Sequence, residues 1–87
     1  MTAEPRKCYW IDPVQDPGEY GYIPSIVTEG ESGHSPLTGN GACASPWYWG
    51  KTYKKARAFC DQMNANDFGL TPGEAAKIVA SSMAASR

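Results

Sequence analysis

The two parts of this 87-residue chain use different kinds of residue, and this division constrains the fold more than any other feature. Residues 1–50 contain seven of the nine glycines and six of the seven prolines, which favour turns and interrupt helices. Residues 51–87 carry alanine, lysine and methionine at helical spacing. We therefore predict one domain over residues 1–87, with strands and turns in 1–50 and two helices in 51–87.

Two to three short strands are predicted in residues 1–50. Cys8–Ile11 is rich in strand-favouring residues and is stopped by Asp12 and Pro13. Tyr20–Thr28 is the second predicted strand, and Pro24 removes a backbone donor within it. This strand is therefore expected to lie at a sheet edge or to be interrupted at Pro24. A short third strand over His34–Thr38 completes the predicted antiparallel sheet.

The first predicted helix is capped by the Thr52 hydroxyl and ends at Gly69. Its apolar side chains recur at helical spacing and are expected to face the core: Tyr53, Ala56, Phe59, Cys60 and Met63. We expect Phe59 and Met63 to be buried between this helix and the sheet.

The second predicted helix begins at Thr71, where Pro72 and Glu74 complete a capping box. Four side chains are expected to be buried: Ala75, Ile78, Val79 and Met83. A row of small residues is expected to pack closely on the neighbouring helix or to form a dimer contact: Ala76, Ala80 and Ala84. Strands followed by helices indicate an α+β fold with a small antiparallel sheet of two to three strands and two C-terminal helices.

Composition and charge exclude several classes of protein. The net charge of −1 argues against a strongly basic nucleic-acid binder, although residues 1–50 carry −4 and residues 51–87 carry +3. No apolar run approaches the roughly 18 residues that span a bilayer, and the N-terminus lacks the apolar segment of a signal peptide. Three cysteines without paired spacing indicate reduced thiols. We expect a cytoplasmic protein without membrane contact.

Trp47, Tyr48 and Trp49 form the most unusual segment of the sequence. In an extended chain successive side chains alternate sides, so Tyr48 is expected to point away from the two tryptophans. The tryptophans would then anchor the core, and Tyr48 would remain near solvent. The segment is either a structural cap of the sheet edge or a recognition surface, since Trp and Tyr are enriched among interface hot spots.

Four cations, Lys51, Lys54, Lys55 and Arg57, lie around the start of the first predicted helix. Cations at this end oppose the helix dipole, and Asp61 is the only obvious local partner, four residues after Arg57. They form either a solvated face or a site for a phosphate or for carboxylates of a partner.

The cysteines and the single histidine do not form a recognisable metal or catalytic motif. Cys8, His34, Cys43 and Cys60 are suitable zinc ligands, but none lies at the usual Cys-x2-Cys or His-x3-His spacing. A nucleophilic pair of Cys43 and His34 would need an orienting group and a pocket that a chain of this size rarely builds. We therefore predict no metal site, no catalytic residues and no cofactor.

Several segments together resemble a known group of proteins. They are Tyr9–Pro13, Gly21–Pro24, Glu29–Glu31, Pro46–Gly50, Asn64 with Gly69–Thr71, and Ile78–Met83. Through them the chain is similar to small accessory proteins of actinobacterial phages and integrative elements. The resemblance covers most of the chain and implies a cytosolic accessory protein acting in a host cell. It supplies no catalytic or binding residues.

Two functions are consistent with these features. The first is a non-enzymatic interaction module that binds a host or phage protein. The second is a single-stranded nucleic-acid-binding module in which the basic residues contact phosphates and an aromatic ring stacks on a base. Both functions would use the same partner-binding residues: Trp47, Tyr48, Trp49, Lys51, Lys54, Lys55 and Arg57.

Overall fold

A computed structural model describes residues 4–19, 21–36 and 49–85. Within these ranges three strands precede two helices, which confirms the predicted α+β class. The elements are β1 (Lys7–Trp10), β2 (Ser25–Thr28), β3 (His34–Pro36), α1 (Tyr53–Phe68) and α2 (Pro72–Ala85).

The three strands form an antiparallel sheet in the order β1-β2-β3. β2 is therefore the central strand, and the expectation that it lies at an edge is wrong. It begins at Ser25, directly after Pro24, so the predicted strand over Tyr20–Thr28 is too long: residues 21–24 lie outside the sheet, and the proline precedes the strand. Because Pro24 lies outside the ladder, its missing N–H removes no hydrogen bond between strands.

Side chains alternate along β1 and β2, so each face of the sheet contacts a different helix. Tyr9 and Ile11 belong to a core cluster with α1, and Ile26 packs against that cluster. Cys8 and its register partner Val27 form the second cluster with α2. The strands thus lie between two small hydrophobic cores.

Both ends of α1 follow the local signals in the sequence. The Thr52 hydroxyl accepts a hydrogen bond from the Lys55 backbone N–H at 3.3 Å. Gly69 adopts the left-handed conformation, with φ of 65°, and its N–H donates to the Ala65 carbonyl. Glycine enters this region without the steric cost of a Cβ atom, so the helix ends there.

The capping box of α2 is also confirmed. The Glu74 N–H donates to the Thr71 hydroxyl at 3.2 Å, and the Thr71 N–H donates to Glu74 Oε1 at 3.1 Å. Each residue thus satisfies the other's backbone donor at the first turn, where the helix itself supplies no acceptor.

The predicted buried face of α1 is confirmed only in part. Ala56, Cys60 and Met63 are buried, whereas Phe59 is half-buried and packs against the core from its side. The expectation that Tyr53 is buried is wrong, since its exposed fraction is 38%. Tyr53 is the first residue of α1, and its ring contacts Tyr22 instead, with 5.9 Å between ring centroids.

The buried face of α2 is rotated relative to the prediction. Ala75 and Ile78 are buried as expected and Val79 is half-buried, but 49% of Met83 is exposed. Ser82 takes the inward position near the end of the helix, and its hydroxyl donates to the Glu31 carbonyl at 2.7 Å. Because successive helical residues are about 100° apart, this bond turns Met83 away from the core.

Candidate functional site

Trp49 belongs to the core and is not available to a partner. Its exposed fraction is 4%, and its ring lies between those of Tyr9 and Phe59, with centroid distances of 5.1 and 5.0 Å. This confirms the expectation that Trp49 faces the core and corrects its assignment as a partner-binding residue. The other two aromatic residues of the segment, Trp47 and Tyr48, lie outside the described residues.

Backbone pairing holds Trp49 in this position. The Trp49 N–H donates to the Tyr22 carbonyl at 2.9 Å, and the Tyr22 N–H donates to the Gly50 carbonyl at 2.8 Å. The two segments approach so closely at Gly21 that a Cβ atom there would lie 2.6 Å from the Gly50 oxygen. Gly21 also has a φ of 125°, which L side chains rarely adopt.

The basic residues at the start of α1 divide into two groups. Lys51, Lys54 and Lys55 are exposed, and no acidic side chain lies in the first turn of the helix. Arg57 is half-buried and lies 3.7 Å from Asp61, so the ion pair indicated by their spacing is present. The four cations therefore lie around one helix end, but only Arg57 reaches toward the space between the helices.

An open groove of about 300 Å³ lies between α1 and α2. Its α1 wall is formed by Tyr53 and Arg57, and Trp10 of β1 lies at its base. Its α2 wall is formed by two rows of side chains with a spacing of four residues: Ala75, Val79 and Met83 in one row, and Ala76 and Ala80 in the other. Tyr9 completes the lining.

A second groove of about 280 Å³ adjoins the first on the other side of Met83. Trp10, Val79 and Met83 line both grooves, which therefore form one continuous apolar surface. The second groove also includes His34, whose ring makes an edge contact with Trp10 at 5.2 Å between centroids. We call this area, from Tyr53 across Trp10, Val79 and Met83, the interhelical surface.

The interhelical surface combines apolar and basic groups without acidic ones. Among the described residues that line the two grooves, Arg57 carries a positive charge, and none is aspartate or glutamate. Trp, Tyr, Met and Arg are enriched in the centres of protein interfaces relative to the rest of the surface. The arrangement is suited to binding an apolar segment that carries negative charge.

The small-residue row of α2 has a different role from the one predicted. Ala76, Ala80 and Ala84 are exposed, so they do not pack closely on α1, and the expectation of helix–helix packing is wrong. Ala76 and Ala80 instead line the α2 side of the groove with their small side chains. Whether they contact a second copy, the other possibility, stays a prediction.

The two described cysteines are packed into the core. The Cys60 thiol donates to the Tyr9 carbonyl at 3.2 Å, and the Cys8 thiol lies 3.7 Å from the Ala75 carbonyl. Burial raises the pKa of Cys8 to about 11 and that of Cys60 to about 12, although the charge of Arg57 opposes both shifts. Both thiols are therefore protonated at neutral pH and are poor nucleophiles and poor metal ligands.

The other groups considered for zinc or nucleophilic chemistry do not converge in the described ranges. His34 is exposed against Trp10, and Cys43 lies outside those ranges. No group of three or more His, Cys, Asp or Glu side chains that could hold a metal ion occurs within residues 4–19, 21–36 and 49–85.

Sequence reasoning missed most of the interhelical surface because it placed Tyr53, Val79 and Met83 in the core. One signal could have located it. The spacing of Ala75, Ile78 and Ser82 defines an inward face for α2 that includes a serine and excludes Met83. A serine on an inward helix face needs a hydrogen-bond partner, which the Glu31 carbonyl supplies.

Of the helices in the described ranges, none combines the length and the apolarity that a membrane crossing requires. The chain matches no protein-family model, no curated protein and no solved structure.

Proposed function

We propose that this chain is a non-enzymatic interaction module that binds another protein through the interhelical surface. The observation that carries the proposal is the exposure of Met83 and Tyr53, 49% and 38%, around the half-buried Trp10 and Val79. Contiguous apolar side chains left in water mark binding sites more often than single exposed ones do. A partner that covers them would gain about 25 cal/mol for each Å² of apolar surface removed from water.

The basic end of α1 supports this proposal by adding charge beside the groove. Lys54 follows Tyr53 directly in the chain, and Lys51 and Lys55 are exposed in the same region. Charges at the rim of an interface mainly accelerate association and select the partner. Trp47 and Tyr48, which lie outside the described residues, stay predicted partner-binding residues.

The proposed biological setting follows from the resemblance to accessory proteins of actinobacterial phages and integrative elements. The partner would be a host or phage protein, and the compartment would be the cytoplasm of the host cell. The protonated, unpaired thiols of Cys8 and Cys60 are compatible with a reducing compartment.

Capture with matched variants tests the proposal. Tagged wild-type, Met83→Glu and Val14→Glu proteins would be incubated with actinobacterial lysate at physiological salt, and the bound proteins would be quantified by mass spectrometry. Val14 is a suitable control because it is an apolar side chain that is 86% exposed and does not line either groove. We expect a stoichiometric partner with the wild type and with Val14→Glu, and its loss with Met83→Glu.

Thermal melts of the three proteins would establish that each is folded before capture. The proposal is wrong if the wild type captures no stoichiometric protein, or if folded Met83→Glu retains the same partner as the wild type.

A second function, binding of single-stranded nucleic acid, is favoured by one observation: Lys51, Lys54 and Lys55 are all exposed around the acid-free first turn of α1. The burial of Trp49 weighs against it, because this ring is not available to stack on a base. Titration of a labelled oligothymidine at several salt concentrations would decide. Phosphate contacts by these three lysines predict that log K falls with log salt with a slope of about −2.

A further inference from the structure

We infer that the partner presents an amphipathic helix whose apolar face fits between α1 and α2 and whose flank carries a carboxylate opposite Arg57. This inference rests on the proposed function and specifies the partner's chemistry at the same surface.

The dimensions of the groove favour a helix. Its α2 wall extends from Ala75 to Met83, which corresponds to just over two helical turns and about 12 Å along the axis. A helix with apolar residues at positions i, i+3 or i+4, and i+7 presents side chains over the same length. Ala76 and Ala80 lack long side chains, so a third helix can approach this wall at the 8–10 Å axis separation of packed helices.

The adjoining sheet edge favours a helix over an added strand. A peptide that extends the sheet at β1 would need the free backbone groups of this strand. The outward N–H and C=O of Tyr9 are instead bonded to the Asn64 side chain, at 2.7 and 3.1 Å. The edge of β1 that borders the groove is therefore already closed at its centre.

The charge of the groove favours a carboxylate on the partner. Arg57 is the guanidinium in the lining, and its contact with Asp61, at 3.7 Å, is too long for a strong hydrogen bond. Its donors thus remain suited to a second carboxylate, which planar guanidinium groups bind in bidentate fashion. Lys54 beside Tyr53 adds positive charge at the same end of the groove.

Two model peptides test the inference directly. Both would be about 18 residues long with the same Leu/Ala apolar stripe, one with glutamate and the other with lysine on its flanks. Each would be titrated into the isotope-labelled full chain at physiological salt and followed by NMR. We expect the glutamate peptide to shift the Trp10 indole and the Val79 and Met83 methyl signals, and to bind at least about tenfold more tightly than the lysine peptide.

Arg57→Gln and Val14→Glu are the paired variants for this titration. Arg57→Gln is expected to remove most of the preference for the glutamate peptide, and Val14→Glu is expected to leave it unchanged. The inference is overturned if both peptides bind equally, if neither binds at about 1 mM, or if the shifts lie around Val14, outside both grooves, instead.

Sedimentation of the chain without peptide measures its oligomeric state and tests whether a second copy of the chain occupies the groove. A dimer that Met83→Glu dissociates would show that a second copy occupies the groove, which overturns the inference. Failure of the inference and failure of the proposed function are distinguishable. A partner lost on Met83→Glu substitution supports the proposed function even when the peptides show no charge preference.

Discussion

The side-chain amide of Asn64 bonds to both backbone polar groups of Tyr9. Its Oδ1 accepts from the Tyr9 N–H at 2.7 Å, and its Nδ2 donates to the Tyr9 carbonyl at 3.1 Å. Asn64 thus takes the place of a neighbouring strand at the centre of β1. The amide is 1% exposed, and the Cys60 thiol donates to the same carbonyl, so α1 closes this edge with two side chains one turn apart.

We expect Asn64→Ala to lower the free energy of unfolding by roughly 1–3 kcal/mol, because it removes the side-chain acceptor of the buried Tyr9 N–H, whereas the Tyr9 carbonyl keeps the Cys60 thiol as a donor. Asn66→Ala is the matched control, since Asn66 is exposed on the same helix. Urea denaturation of both variants measures the difference. Equal midpoints for the two variants would show that water replaces the amide at Tyr9.

The depth of burial predicts different costs for Ile78→Ala and Phe59→Ala. Ile78 is fully buried between α2 and the sheet, so its truncation is expected to cost about 3–4 kcal/mol. Phe59 is half-buried against Trp49, so the 3–5 kcal/mol expected for a fully buried phenylalanine falls to about 2 kcal/mol. Denaturation in urea would rank the two variants. A larger loss for Phe59→Ala would mean that the Trp49 side of the core dominates stability.

Arg6, directly before β1, pairs with Glu29, directly after β2, and with Glu74 of α2, and these contacts make stability depend on pH. Its guanidinium bonds to Glu29 at 2.9 Å and lies 3.8 Å from Glu74. The hydrogen bond from Arg6 lowers the pKa of Glu29, and the hydrogen bond from the Thr71 N–H lowers the pKa of Glu74. The folded state therefore favours both charged carboxylates. This contribution is present above their ordinary pKa and is lost as the pH falls through their lower folded values.

We expect Arg6→Gln to lower the urea midpoint at pH 7 and to have a smaller effect at low pH, once the pH has fallen through the lowered pKa of the two carboxyl groups. Lys7→Gln is a control of equal charge change on the adjacent residue, which makes none of the ion pairs found among the described residues. An Arg6→Gln effect of the same size at both pH values would show that Arg6 acts through packing of its aliphatic chain.

The buried thiols predict the opposite pH dependence. The pKa of Cys8 is raised to about 11 and that of Cys60 to about 12, above the usual value for an unfolded chain. Their stabilising contribution is complete below the unfolded pKa and is lost as the pH rises toward 11 and 12. We expect both thiols to resist a disulfide reagent in the native protein at pH 8 and to react after unfolding. Mass spectrometry of the labelled peptides would identify each site, and rapid native labelling of Cys60 would contradict its burial.

Truncation of two neighbouring aromatic residues should separate folding from binding. Trp49→Ala removes a core ring that contacts Tyr9 and Phe59, and we expect it to cost about 3–5 kcal/mol. Tyr48→Ala is expected to leave the melting temperature within a few degrees and to weaken partner binding by about 2 kcal/mol. Melting curves and titration with the captured partner would measure the two effects. Unfolding of Tyr48→Ala would assign this residue to the core as well.

The sequence by itself determined the features that depend on near neighbours. Thr52 and Gly69 bound α1, and the Thr71–Glu74 pair begins α2, because each of these contacts joins residues three or four positions apart. Such interactions join residues that are close in the sequence, so they can be predicted without knowledge of tertiary packing.

The tertiary structure decided which of the apolar residues form the core and which form a surface. Tyr53 and Met83 satisfy the helical periodicity of buried residues, yet both are exposed, because short strands cover only part of each helix and Ser82 takes the inward position. The bond between Asn64 and Tyr9 joins residues 55 positions apart, so no local pattern could predict it. Periodicity indicates that a helix has an apolar side; the shape of the surface that it meets determines how much of that side is covered.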